Sequence, residues 1–149
     1  MTVTQGGEIH GDELRHVGSK PGPADPVRRI MGRRPVGVPQ AATLRELARE
    51  LEDDEIGAVV VESPRGIVGL VSERDLVGAV AAGDDLDDRQ VADLMSIDLV
   101  TARPDDPIGL VGTRMDDAGV RHVLVAEGAT AVGIVSVRDI LPALLRGLR

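Results

Sequence analysis

The sequence predicts a mixed α/β (α+β) fold of two β-α-β-β-α repeats packed about a pseudo-twofold axis. Three observations carry that expectation: an eight-residue segment recurs 64 residues further on, Val-rich runs of strand length lead into each copy, and segments of helical period precede those runs.

The recurrence divides the chain. Gly69-Leu70-Val71-Ser72-Glu73-Arg74-Asp75-Leu76 returns as Gly133-Ile134-Val135-Ser136-Val137-Arg138-Asp139-Ile140. At that offset, without a gap, Val27 meets Val91, Met31 meets Met95, Val36 meets Val100 and Val59 meets Val123, and residues 27–83 and 91–147 share fourteen identical positions. Chance matching in a chain rich in Val, Ala, Gly and Asp would give about four or five. Duplication is the better explanation.

Each copy then reads in the same order. A short extended piece stands at 36–38 and at 99–102. Apolar residues follow at helical spacing, Leu44, Leu47, Ala48 and Leu51 in one copy and Ile108, Val111, Gly112 and Met115 in the other. Thr43 with Glu46 makes a capping box for the first helix, and Asp106 before Pro107 offers a capping side chain ahead of a proline at the first helical position. The runs 58–61 with 67–71, and 123–125 with 131–135, read as buried strands paired in hairpins. A second helix begins at Ser72 and again at Ser136. Between the copies, residues 83–88 form an acidic connector, and a short helix over 89–95 opens the second copy. Residues 1–24, rich in Gly and Pro, read as a mobile tail, with the first repeat over 25–84 and the second over 85–149. A unit of that size buries too little surface alone, so the two copies are expected to share a core.

Composition narrows the functions. The 149 residues include no cysteine, which removes disulfides, zinc–thiolate sites and thiol catalysis. There is no Phe, Tyr or Trp, so no ring is present on which bases could stack, and the net charge of −8 repels a polyanion; nucleic acid is therefore not an expected partner. A small anion held by a few arginines remains compatible. No apolar run is long enough to cross a bilayer and residues 1–20 lack a signal-peptide core, which sets a cytoplasmic expectation without membrane attachment. Neither a Gly-x-Ser-x-Gly elbow nor a phosphate-binding Walker loop occurs, so no enzymatic activity is expected.

The duplicated pattern Gly-apolar-x-Ser-x-x-Asp, together with the Val-x-x-apolar-Met lead of each copy (Val27 to Met31, Val91 to Met95), resembles the CBS-domain (cystathionine-β-synthase-type) family across residues 27–147. The resemblance implies a tandem pair, or Bateman module, that binds an adenosyl ligand such as AMP, ADP or ATP between its repeats. In that family the Ser/Thr hydroxyl binds phosphate and the Asp three residues on binds ribose hydroxyls. Those roles fall on Ser136 and Asp139, and on Ser72 and Asp75. The physics agrees, because a strand-to-helix corner offers free N–H groups and the positive end of a helix dipole. Gly69 and Gly133 would let a ligand approach the backbone. Arg121 and His122 open a strand of the second repeat where the first has Gly57 and Ala58, and a basic residue there reaches phosphate in family members, so the second site is expected to be the stronger. Thr101 is a further candidate, for contact with the base.

Plainer readings stand beside these. Ser-x-x-Asp at a helix start is equally a capping arrangement, which would leave a structural or protein-interaction module with no ligand. His10 and His16 with Glu8, Asp12 and Glu13 lack the spacing of a metal site, and the acidic connector lacks that of a calcium loop. The cluster Arg28, Arg29, Arg33 and Arg34 reads as a solvated face. The resulting expectation is a stand-alone regulatory module, homodimeric through its helices, with the apolar helix residues Ile140, Leu141, Leu144, Leu145 and Leu148 as the contact face, part of which must cover its own sheet.

Overall fold

A computed structural model describes residues 18–32, 34–54 and 56–149. The tail histidines and Arg33 lie outside the described residues.

The first repeat runs β1 (Gly37–Pro39), α1 (Leu44–Asp53), β2 (Ala58–Ser63), β3 (Gly66–Ser72) and α2 (Glu73–Ala81). The second runs β4 (Thr101–Ala102), α3 (Ile108–Ala118), β5 (His122–Glu127), β6 (Thr130–Ser136) and α4 (Val137–Arg146). Each repeat forms a three-stranded sheet in which the first strand lies parallel to the second and the second pairs antiparallel with the third. Both hairpins carry a register shift at the equivalent place, Val61/Glu62 and Val125/Ala126. The predicted β-α-β-β-α order is thus observed twice. Among the described residues no helix is long and apolar enough to cross a membrane.

Why these strands bury both faces follows from their alternation. Val59 and Val61 point into a core with Leu44, Leu47, Leu51 and Ala79 of the helices, and Val123 and Val125 into a matching core with Ile108, Val111, Met115, Ile140 and Ala143. Ala58, Val60 and Leu124 are buried as well, yet belong to neither helical core. Being of the other parity, they face away from the helices, on the side where His122 of the second repeat comes up against Gly57 of the first. Buried on two faces, the strands read as continuous Val-rich runs instead of an apolar–polar alternation.

The leads of the two repeats are exchanged. A 3-10 turn at Val27–Arg29 inserts Val27 into the core of the second repeat, and its counterpart Val91–Asp93 inserts Val91 into the core of the first. Backbone bonds repeat the pattern: Val27 N–H donates to Asp106 and Ile108 N–H to Asp25, while Val91 N–H donates to Ala42 and Leu44 N–H to Arg89.

Two local expectations are corrected. The short helix expected over 89–95 is the three-residue 3-10 turn alone. Pro107, not Asp106, is the N-cap of α3; the Asp106 carboxylate turns back to accept from the Arg103 N–H at 2.9 Å and from Arg114 at 2.7 Å, which holds its pKa below the usual carboxylate range. Residues 19–24, the end of the segment read as a tail, make hydrogen bonds to the body of the chain. The Pro21 carbonyl accepts from Arg146 Nε at 2.6 Å, the Pro23 carbonyl from the Gly109 N–H at 2.9 Å, and Ser19 from Arg29 at 2.8 Å. The acidic connector is likewise tied down, with Asp87 on Arg45 and Asp84 on Arg89.

Candidate functional site

Each strand-to-helix corner is built by a serine in extended backbone. Ser72 (φ −112°, ψ 165°) caps α2, and Ser136 (φ −103°, ψ 164°) caps α4. At the first corner the Ser72 N–H donates to Asp75 Oδ2 at 2.8 Å, the Ser72 hydroxyl donates to the same oxygen at 3.0 Å, and Ser72 Oγ accepts from the Asp75 N–H at 3.3 Å. The second corner repeats these distances between Ser136 and Asp139. Both corners are therefore complete capping boxes without any ligand.

What each corner leaves open is as regular as what it closes. The first helical amide is taken in both copies, Glu73 N–H by the Gly57 carbonyl at 2.9 Å and Val137 N–H by the Arg121 carbonyl at 3.0 Å. The next amide, of Arg74 or Arg138, has no hydrogen-bond partner among the described residues, nor does Oδ1 of Asp75 or Asp139. One free donor at the positive end of a helix lies within a turn of one free carboxylate oxygen. That set can take an anionic oxygen on the amide and a hydroxyl on the carboxylate.

The corners differ in surroundings. Asp75 is half-buried and Asp139 exposed. Alongside the first corner, Leu70 exchanges two backbone bonds with Ser96, at 3.0 and 2.8 Å, which closes the outer edge of β3. The counterpart of Leu70 is Ile134, two residues before Ser136, and no backbone bond closes the β6 edge there among the described residues. The second corner is the more open.

Other expected residues are distributed differently. Arg121 has the parity of Val123, so it lies on the helix side, at an apolar groove of about 330 Å³ between α3 and α4 with Met115, Ile140 and Leu144. His122 has the other parity and lies in the seam between the sheets, its Nε2 3.3 Å from where a β-carbon on Gly57 would stand. The two basic residues expected to act side by side are thus on opposite faces. Thr101 lines a separate polar hollow of about 800 Å³ with Arg103, Asp105, Asp106, Arg114 and Glu127, and its carbonyl accepts from Arg114 at 3.2 Å. The clearance over the two glycines is filled by protein: a β-carbon on Gly69 would stand 2.7 Å from Met95 Sδ, and one on Gly133 2.9 Å from Met31 Sδ. Sequence reasoning aligned Met31 with Met95 but had no means of pairing either with a glycine of the opposite copy. Of the basic cluster, Arg28 is exposed and pairs with Asp105, and Arg34 is exposed, whereas Arg29 is part-buried in its pair with Asp25 and so departs from the solvated reading.

The CBS-domain family model matches residues 27–82 and 91–146, the two repeats as the structure lays them out. The chain belongs to the CBS-domain family. A CBS-domain-containing protein of Agrobacterium tumefaciens superposes with a TM-score of 0.73 at 32% identity, over 84% of this chain and 97% of that one. A CBS-domain protein of Pyrobaculum aerophilum, solved in complex with AMP, superposes with a TM-score of 0.71 at 32% identity, over 81% and 98% of the two chains. A 17.7 kDa protein of Acidianus ambivalens is 33% identical over 105 residues, a match spanning 69% of this chain and 63% of that relative. The chain thus spans somewhat under two thirds of that curated relative's length.

Proposed function

We propose that this CBS pair is a regulatory module that binds an adenosyl ligand of the AMP, ADP or ATP kind at the cleft between its repeats and signals by a change in their packing. The observation that carries the reading is the amide and carboxylate oxygen left without a partner among the described residues at each capped corner, Arg138 N–H with Asp139 Oδ1 and Arg74 N–H with Asp75 Oδ1. Phosphate suits the first group and ribose hydroxyls the second. The AMP complex of the Pyrobaculum protein, at 32% identity, supports the ligand class. The β6 edge, which has no backbone partner among the described residues at Ile134, and the exposure of Asp139 favour the second corner. Signalling requires that the ligand prefer one arrangement of the repeats over another.

The same reading includes a homodimer in a cytoplasmic setting. Val77 and Val80 of α2 and Leu141 and Leu145 of α4 are each at least half exposed, an apolar face suited to a second copy. No catalytic step is assigned to the chain. A second reading, a scaffold with an empty cleft, is favoured by the capping boxes being satisfied unaided.

The two readings separate on purified protein. With no Phe, Tyr or Trp the chain is nearly transparent above 250 nm (order of magnitude, set by the missing rings), so an adenine band released on denaturation reports a bound nucleotide directly. Protein free of the band is titrated calorimetrically with AMP, ADP and ATP. Heat that saturates with one of them supports the sensor, and none with any of them leaves the scaffold.

A further inference from the structure

His122 opens β5 opposite Ser136, but its ring reaches into the other repeat. Nε2 lies 3.3 Å and Cε1 4.0 Å from the point a β-carbon on Gly57 would occupy, and Oε1 of Glu73 lies 3.7 Å from that point. Gly57 leaves this space because it has no side chain. The counterpart of His122 in the first repeat is Ala58, which is buried, so the seam holds one imidazole instead of a symmetric pair. The ring is half-buried, and neither nitrogen makes a hydrogen bond among the described residues.

The charges facing the ring come from three elements. Asp139 belongs to α4 and the second corner, Glu73 and Asp75 to α2 and the first corner, and Arg121, the residue just before β5, acts on the ring from the opposite face of the sheet. Burial pushes the imidazole below the ordinary histidine range, and the three carboxylates oppose that push without overcoming it. The neutral ring is the form this seam accommodates.

We propose that His122 makes the seam between the repeats proton-sensitive: neutral, the ring fills the space over Gly57 and holds the two corners together; protonated, it leaves that space for water and the sheets loosen. The folded chain holds the proton less tightly than the unfolded chain. Stability is therefore full above the ordinary histidine pKa of 6.5, falls as the pH drops through it, and stops falling below the folded midpoint. Because the ring stands among acids of both corners, the same proton acts on both. This inference concerns the ligand-free chain and does not depend on any nucleotide being bound.

The test is a proton NMR titration of the full chain without nucleotide, with the imidazole signals assigned by His10→Gln and His16→Gln. A midpoint for His122 below 6.5, with the Gly57 and Glu73 amide shifts following the same midpoint, is the expected result. A midpoint at or above 6.5, or Gly57 and Glu73 amides that ignore it, overturns the proposal. Thermal melts give a second reading. Between pH 7.5 and 5.5 (buffer conditions, roughly bracketing the histidine range) the Tm should fall, and His122→Gln should remove most of that fall; an equal fall in both proteins would sink the idea.

Discussion

Met31 lies across Gly133 of the opposite repeat, its sulfur 2.9 Å from where a β-carbon at that glycine would stand, and Met95 lies in the same way across Gly69. Both glycines belong to the segment that ends in the capped corner, so each corner leans on the lead of the other repeat. A methyl group at 133 would meet Met31 Sδ, Cγ and Cβ all within 3.2 Å. Gly133→Ala is expected to cost about 1–3 kcal/mol, read from urea unfolding by far-ultraviolet circular dichroism. Adding Met31→Ala should return a substantial part of that loss, a coupling that two independent sites would not show.

The open carboxylate oxygens predict an order of ligand affinities. Asp139→Asn keeps an acceptor for the cap but removes the charge, and should weaken AMP binding roughly 10- to 150-fold, the worth of a charge-assisted bond. Asp75→Asn should weaken it less, by calorimetry under the same conditions. The reverse order would move the site to the first corner.

Capping has a cost of its own, with or without a nucleotide. Ser136→Ala removes the acceptor of the Asp139 N–H and should lower stability by about 1 kcal/mol in ligand-free protein. Thr43→Ala, which breaks the capping box of α1, should cost a similar ~1 kcal/mol and leave nucleotide affinity unchanged. If Ser136→Ala altered binding with no change in the melting curve, the hydroxyl would be serving the ligand alone.

Leu141 and Leu145 are half exposed, so charged replacements there should spare the fold. The double variant Leu141→Glu, Leu145→Glu is expected to sediment at a smaller mass than the parent at equal concentration, with the melting temperature little changed. An unchanged mass would place the contact between copies elsewhere.

Much of this architecture was legible in the amino-acid order because its determinants are local. Thr43 with Glu46, Ser72 with Asp75 and Ser136 with Asp139 signal helix starts within four residues, and all three form complete capping boxes. The Val runs and the 64-residue offset gave strands and repeats without any long-range information. Pro107 was misassigned because a proline that starts a helix and one that stands just before it look alike in sequence; here Asp106 finds better partners in Arg103 and Arg114. The opposite placement of Arg121 and His122 could have been read from parity, since Arg121 alternates in step with Val123 and Val125 of the helical core. The exchange of leads could not. Val27 and Val91 look like part of their own repeats until the sheets are brought face to face, and only then does each find its cavity in the other.

That exchange bears on how such a chain could have arisen and how it can be dissected. In a half-length chain of this design the slot that receives the leading valine could be filled by the lead of a twin, as Val27 and Val91 fill each other's cores here. Cutting the present protein in half should therefore yield fragments that seek each other, and that reassemble when mixed.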